Sequence, residues 1–230
     1  MLKFIVTGTG RSGTVYLARI LTDWGIFCGH ESIFNEEKEE IVLSRFYGQK
    51  PITFSKVCEN HGWMDSPEII ADSSYMAVPY LDYKDINKIP IIHIVRNPLA
   101  VISSFVKDLQ YFCDKSNNLY NEKHWEEWIY TNNPEINLTQ NPLERACCHW
   151  FNWNIKIEKA SKNREYYFHR VEDKFNDDFF KFIGIEKQPV GFLNKKVNTM
   201  KKRTEDFKVD DIPNGKIKDD FIALMKKYGY

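Results

Sequence analysis

The sequence predicts an α/β fold, with a mostly parallel central sheet flanked by helices in three layers. Three observations carry this. A short apolar strand, Lys3 to Val6, runs into a glycine-rich stretch and then into a helical pattern. The same order returns at Glu68–Asp72 and, more strongly, at Ile91–Val95. Strands that alternate with helices need crossover connections, and such connections make parallel sheets.

Each element follows from its residues. Lys3–Val6 is β-branched and aromatic, as a buried strand requires. Thr7-Gly8-Thr9-Gly10-Arg11-Ser12-Gly13-Thr14 follows it. Apolar side chains then recur at Tyr16, Leu17, Ile20, Leu21 and Trp24, one face of a helix, and Gly25 suits its stop. Glu68–Asp72 is a second short apolar run, ending in Ser73-Ser74. Ile91–Val95 is a stronger strand that ends at Arg96. Asn97 suits the cap of the next helix and Pro98 its first position. Ile102, Phe105, Val106, Leu109 and Phe112 then fall on one helical face.

A later helix starts at Asn141-Pro142-Leu143-Glu144, which resembles a capping box. Its apolar face holds Ala146, Cys147, Trp150, Phe151, Trp153 and Ile157. Glu165–Phe168 reads as a strand, Asp178–Ile183 as a helix, and Ile217–Tyr228 as an amphipathic helix. Residues 32–65 and 114–140 have weak periodicity and place no element.

A chain of 230 residues supports one sizeable core, so a single domain over 1–230 is expected. Apolar residues at 43% exclude a disordered chain. Lys+Arg and Asp+Glu both number 32, so nothing in the charge balance points to nucleic acid or a membrane surface. No run approaches the roughly 18–20 apolar residues of a membrane span, and the opening residues lack the apolar stretch of a signal peptide. The cysteines, Cys28, Cys58, Cys113, Cys147 and Cys148, are odd in number and include no Cys-x-x-Cys pair. They read as reduced thiols, and a cytoplasmic protein is expected.

A strand that feeds a glycine-rich loop into a helix N-terminus makes an anion site, a P-loop-type arrangement. Backbone N–H groups point into the loop and the helix dipole favours negative charge. Glycines, among them Gly10 and Gly13, let the backbone approach a phosphate. Ser12 and Thr14 offer hydroxyls and Arg11 a fixed positive charge. Gly8 and Gly13 have Walker A spacing, but Thr14 stands where a nucleotide triphosphatase needs Lys, and Val15 follows. The loop therefore suits one phosphate-like group beside a cation better than a Mg²⁺–triphosphate.

Arg96 lies at a strand's C-terminal end, and Ser104 follows eight residues later. In an open parallel sheet, ligands bind outside the strands' C-terminal ends, so Arg11, Ser12, Thr14, Arg96 and Ser104 share one rim. Arg11-Ser12-Gly13-Thr14 and Arg96-Asn97-Pro98 with Ser104 together resemble the sulfotransferases that use 3′-phosphoadenosine 5′-phosphosulfate (PAPS). The first segment is similar to that family's 5′-phosphosulfate loop and the second to its 3′-phosphate motif. Weaker similarities run through Asp72-Ser73-Ser74, Pro79-Tyr80-Leu81, the Trp150–Trp153 helix, Arg170-Val171-Glu172-Asp173 and Tyr228-Gly229-Tyr230. The late glycine-rich cofactor motif and the catalytic histidine of cytosolic members have no match here. Lys201-Lys202-Arg203 stands about where a basic cofactor loop would lie, but reads better as a solvated basic turn.

The resemblance implies PAPS as cosubstrate with no metal required, and a hydroxyl acceptor that is a small molecule, a carbohydrate or a peptide. It implies two positive pockets that grip opposite ends of one nucleotide, with Arg11 at the bridging oxygen. Phe27-Cys28-Gly29-His30-Glu31 resembles the Cys-Gly-Glu-Glu segment of tyrosylprotein sulfotransferases, which carries Glu31 over as the base. His30 is the rival, since an imidazole titrates near neutrality. Neighbours on an extended segment point to opposite faces, so only one of the two is expected to face the acceptor. His93, inside a strand, reads as structural.

Two other readings stay open. A P-loop kinase shares the opening strand, loop and helix, with Asp72 as its Mg²⁺ residue. A non-catalytic adenosine-phosphate-binding module would keep Arg96 and Ser104 and need no base. Aromatics in the weakly periodic segments, including Phe34, Phe46, Tyr47, Trp63, Tyr111, Phe112, Tyr120, Trp125 and Trp128, suit either an acceptor pocket or packing onto the core.

Overall fold

The structure is a computed structural model, and it describes residues 2–35, 70–109, 111–112, 123–138, 141–186 and 206–230. Among these residues one sheet forms from β1 (Phe4–Thr7), β2 (Cys28–His30), β3 (Ala71–Ser73), β4 (Ile91–Val95) and β5 (Tyr166–Arg170). Every pairing is parallel and the order is β2-β3-β1-β4-β5. The helices are α1 (Thr14–Asp23), α2 (Pro98–Ser103), α3 (Lys123–Asn132), α4 (Pro142–Ser161), α5 (Asp177–Ile183) and α6 (Lys216–Lys227).

The strand period of two sorts the core into layers. Phe4 and Val6 of β1, with Ile92 and Ile94 of β4, pack against Leu17 and Leu21 of α1 and Phe179 of α5. Ile5 and Ile91 face the other way, onto Trp153 and Ile157 of α4. Trp150 of α4 and Phe221 of α6 extend that second layer, with ring centroids 5.0 Å apart. Helices thus cover both faces of the sheet. That is why β1 and β4 are mostly apolar and do not alternate, with His93 the polar exception inside β4.

Local signals in the sequence become hydrogen bonds. The Asn97 side chain accepts from Ala100 N and caps α2, with Pro98 in its first turn. Asn141 accepts from Leu143 N and Glu144 N at the start of α4. Asn176, which the sequence reading passed over, caps α5 through Phe179 N.

Several elements differ from expectation. α3 forms within 114–140, where weak periodicity placed none, and β3 covers Ala71–Ser73 where Glu68–Asp72 was expected. β5 runs to Arg170, beyond Phe168, because Val95 and Arg170 stay in register at the end of β4. The helix after Pro98 does not continue straight to Phe112. Its α-helical part ends at Ser103 and a π-helical turn covers Ser104–Asp108, with Leu109 N donating to Ser104 O. Phe112 then takes φ 66°. The wider turn lets Phe105 and Phe112 both pack on His149, at 5.6 and 5.7 Å between ring centroids. No helix among the described residues is long and apolar enough to cross a membrane.

Candidate active site

Going from β1 to its neighbours, the chain moves to β3 and β2 on one side and to β4 and β5 on the other. The crevice between the ends of β1 and β4 is therefore the topological switch point, where an open α/β sheet binds ligands. The glycine-rich loop leaves β1 there and Arg96 leaves β4.

The loop's shape rests on two glycines. A Cβ at Gly8 would collide with the Ile94 carbonyl oxygen and stand 2.6 Å from Ser12 Oγ. Gly13 has φ 104°, a left-handed conformation, and a Cβ there would lie 2.9 Å from Val171 Cγ2. Ser12 closes the turn, since its amide and its hydroxyl both donate to Thr9 O. In this conformation Ser12 shapes the loop instead of presenting a hydroxyl to a ligand. Gly13 is the N-cap of α1 and supplies no side-chain cap, the kind of helix start that suits an anion. Arg11, between them, has φ 66°.

The two predicted phosphate motifs touch. Arg11 Nε donates to Ser104 Oγ at 3.1 Å, across 93 residues of sequence. Arg96 Nη1 donates to the Arg11 carbonyl at 3.5 Å. The two motifs therefore meet at one sheet edge. The guanidinium of Arg11 leans from the loop to the start of the π-helical turn, so the two cations and Ser104 form one continuous rim. Asn97 N, next to Arg96, donates to Glu172 Oε1 at 2.9 Å, which fixes the turn that carries the arginine.

His30 and Glu31 lie at the end of β2, two strands from the loop. His30 Nε2 is 3.3 Å from Thr14 Oγ1 and 3.5 Å from Glu31 Oε1. Burial, with a contribution from the Arg19 charge, lowers His30 to about 4. The ring is therefore neutral at pH 7, and its approach to Glu31 is a long polar contact rather than an ion pair. The expectation that these neighbours point to opposite faces fails. The strand ends at His30 and Glu31 takes φ 54°, so the alternation of an extended segment stops between them. Both side chains meet on the loop side.

The sequence singled out Asp72 and Ser73 but not the part they play here. Asp72, in β3, accepts from the amides of Ser32, Ile33 and Phe34, and Glu31 N donates to Ser73 O. The turn after Glu31 is thus tied to the sheet by a buried carboxylate. A lone acidic residue at the end of a short strand gives no sequence signal for that task. His93 is structural as expected, buried between Tyr166 OH at 2.9 Å and Asn154 Oδ1 at 2.7 Å.

Phe34 and Phe112 are fully buried in the core, so neither lines an acceptor pocket. Tyr111 and Trp128 are partly buried against the same core. Phe46, Tyr47, Trp63, Tyr120, the Trp125 side chain and Lys201-Lys202-Arg203 lie outside the described residues. Cys28, Cys147 and Cys148 are free and buried, and burial raises their thiols, Cys148 to about 11. Comparison with protein-family models and with curated proteins gives no match to either.

Proposed function

We propose that the protein is a sulfotransferase that moves a sulfuryl group from PAPS to a hydroxyl acceptor and releases 3′,5′-ADP. One observation supports this reading above the others. Arg11 of the loop reaches Ser104 at 3.1 Å while Arg96 reaches the Arg11 backbone, so two cations, a hydroxyl and a helix N-terminus share one rim. A nucleotide with phosphate at both the 5′ and 3′ positions has matching charge at two nearby points.

In this reading the loop amides and Thr14 hold the 5′ end, and Arg96 and Ser104 hold the 3′-phosphate. Glu31 takes the proton of the acceptor hydroxyl, with His30 packed between it and Thr14. The acceptor oxygen forms a bond to sulfur as the bond from sulfur to the 5′-phosphate oxygen breaks. The electron pair stays on that oxygen, and Arg11 offsets its charge.

The kinase reading asks Asp72 to hold Mg²⁺. That carboxylate already accepts three backbone N–H bonds, which leaves little of its lone-pair capacity for a metal shell. Thermal shift separates the readings. The proposal expects 3′,5′-ADP without metal to raise the midpoint by several degrees and labelled PAPS to modify an acceptor in a hydroxyl screen. Stabilisation by ATP–Mg²⁺ alone would favour the kinase. Binding of 3′,5′-ADP without transfer to any acceptor would favour a binding module.

A further inference from the structure

Asn154 lies in the middle of α4, fully buried, on a helix face otherwise made of Trp150, Trp153 and Ile157. Asparagine is a poor residue for a helix interior and a costly one for an apolar core, so its contacts must account for it. Its Nδ2 donates to the Trp150 carbonyl at 2.7 Å and to Thr9 Oγ1 at 3.0 Å. A carbonyl only accepts, so the nitrogen of the amide is identified by its partner. Oδ1 must then accept, and it does so from His93 Nε2 at 2.7 Å. His93 therefore carries its proton on Nε2, and Nδ1 accepts from Tyr166 OH at 2.9 Å. Every donor direction in the chain Tyr166–His93–Asn154–Thr9 is fixed by this reasoning. Burial lowers His93 to about 4, in keeping with a neutral ring.

The chain ends on the glycine-rich loop. Thr9 is the residue whose carbonyl accepts both donors of Ser12, so it is the hinge of the turn that presents Arg11 and Gly13. We propose that Asn154 is a positioning residue for the phosphate loop, holding Thr9 in place while His93 and Tyr166 hold the Asn154 amide in the one orientation that donates to it. The inference rests on the proposed function only in taking the loop to bind the 5′ end of a nucleotide.

The test compares Asn154→Leu, Thr9→Val and the parent protein in two measurements. In the ligand-free proteins, hydrogen exchange at the amides of residues 10–13 should quicken by roughly tenfold in both variants, with exchange in β1 and β4 unchanged. Affinity for 3′,5′-ADP should fall by roughly tenfold, while affinity for adenosine 3′-monophosphate should fall by less than about threefold, since Arg96 and Ser104 stand outside the loop and meet it through Arg11. A purely structural role would lower both affinities together and spread faster exchange over the sheet, and that result would overturn the proposal. Unchanged loop exchange would overturn it as well. If the parent binds neither nucleotide, the sulfotransferase reading fails, and loop exchange alone still decides the role of Asn154. Thr9→Val cuts the chain at its loop end, so it serves if the Leu variant does not fold.

Discussion

At Glu31 the backbone sits at φ 54°, where a residue other than glycine is held at a strain of about 1–3 kcal/mol. Arg11 sits at φ 66°. Asp85 and Phe112 also have positive φ among the described residues, and Arg11 and Glu31 are the two of these four on the rim. Glu31→Gln keeps the shape and removes the carboxylate proposed as the base. It is expected to leave 3′,5′-ADP affinity within about twofold and to cut turnover by about 10²–10⁴-fold. Unchanged turnover would take Glu31 out of the base role and leave His30 to be tested in its place. Asp72 acts one step back. Asp72→Ala strips a buried acceptor from the amides of Ser32, Ile33 and Phe34 and is expected to cost about 3 kcal/mol or more in urea unfolding. A loss under about 1 kcal/mol would show that these amides find water instead.

The strand-to-helix turns at β1–α1 and β4–α2 were legible because each has a local signal. Glycines mark the first, and Asn97-Pro98 marks the second. What the sequence could not disclose is contact between distant elements. Asn154 hides inside an apolar helical face, and only its bond to Thr9, 145 residues away in sequence, reveals its purpose. The π-helical turn at Ser104–Asp108 was equally hidden, since five residues of apolar spacing fit a straight helix and the packing on His149 that the wider turn permits lies far off in sequence. Glu172 is a third case. One carboxylate oxygen accepts from Asn97 N and the other from Tyr230 OH at 2.6 Å, which joins the start of α2 to the segment after α6. Burial and the Glu172 carboxylate push the Tyr230 phenol well above its ordinary value, so it remains a donor. Tyr230→Phe is expected to lower the thermal midpoint by roughly 2–4 °C, equivalent to about 1 kcal/mol. No shift would mean that water replaces the phenol without loss.

Across the molecule, His93, His149 and His169 are buried, and burial lowers them to about 4, 3 and 4. In the unfolded chain they titrate near 6.5, so between these values the unfolded state binds protons that the folded state refuses. Stability is then full above about pH 6.5 and declines as pH falls towards 4. His93 alone contributes up to about 3 kcal/mol to that decline. Urea midpoints measured from pH 7 to 4.5 should fall steadily, and a flat profile would contradict the burial of these rings. The sheet order carries one more consequence. β1 is the first strand in the chain, yet it lies between β3 and β4, whose residues come as late as Val95. At synthesis rates of about 5–20 residues per second, its apolar segment waits on the order of ten seconds on the ribosome before both flanks exist. Nascent-chain lengths that stop short of β4 should therefore be the ones that engage chaperones and resist soluble release.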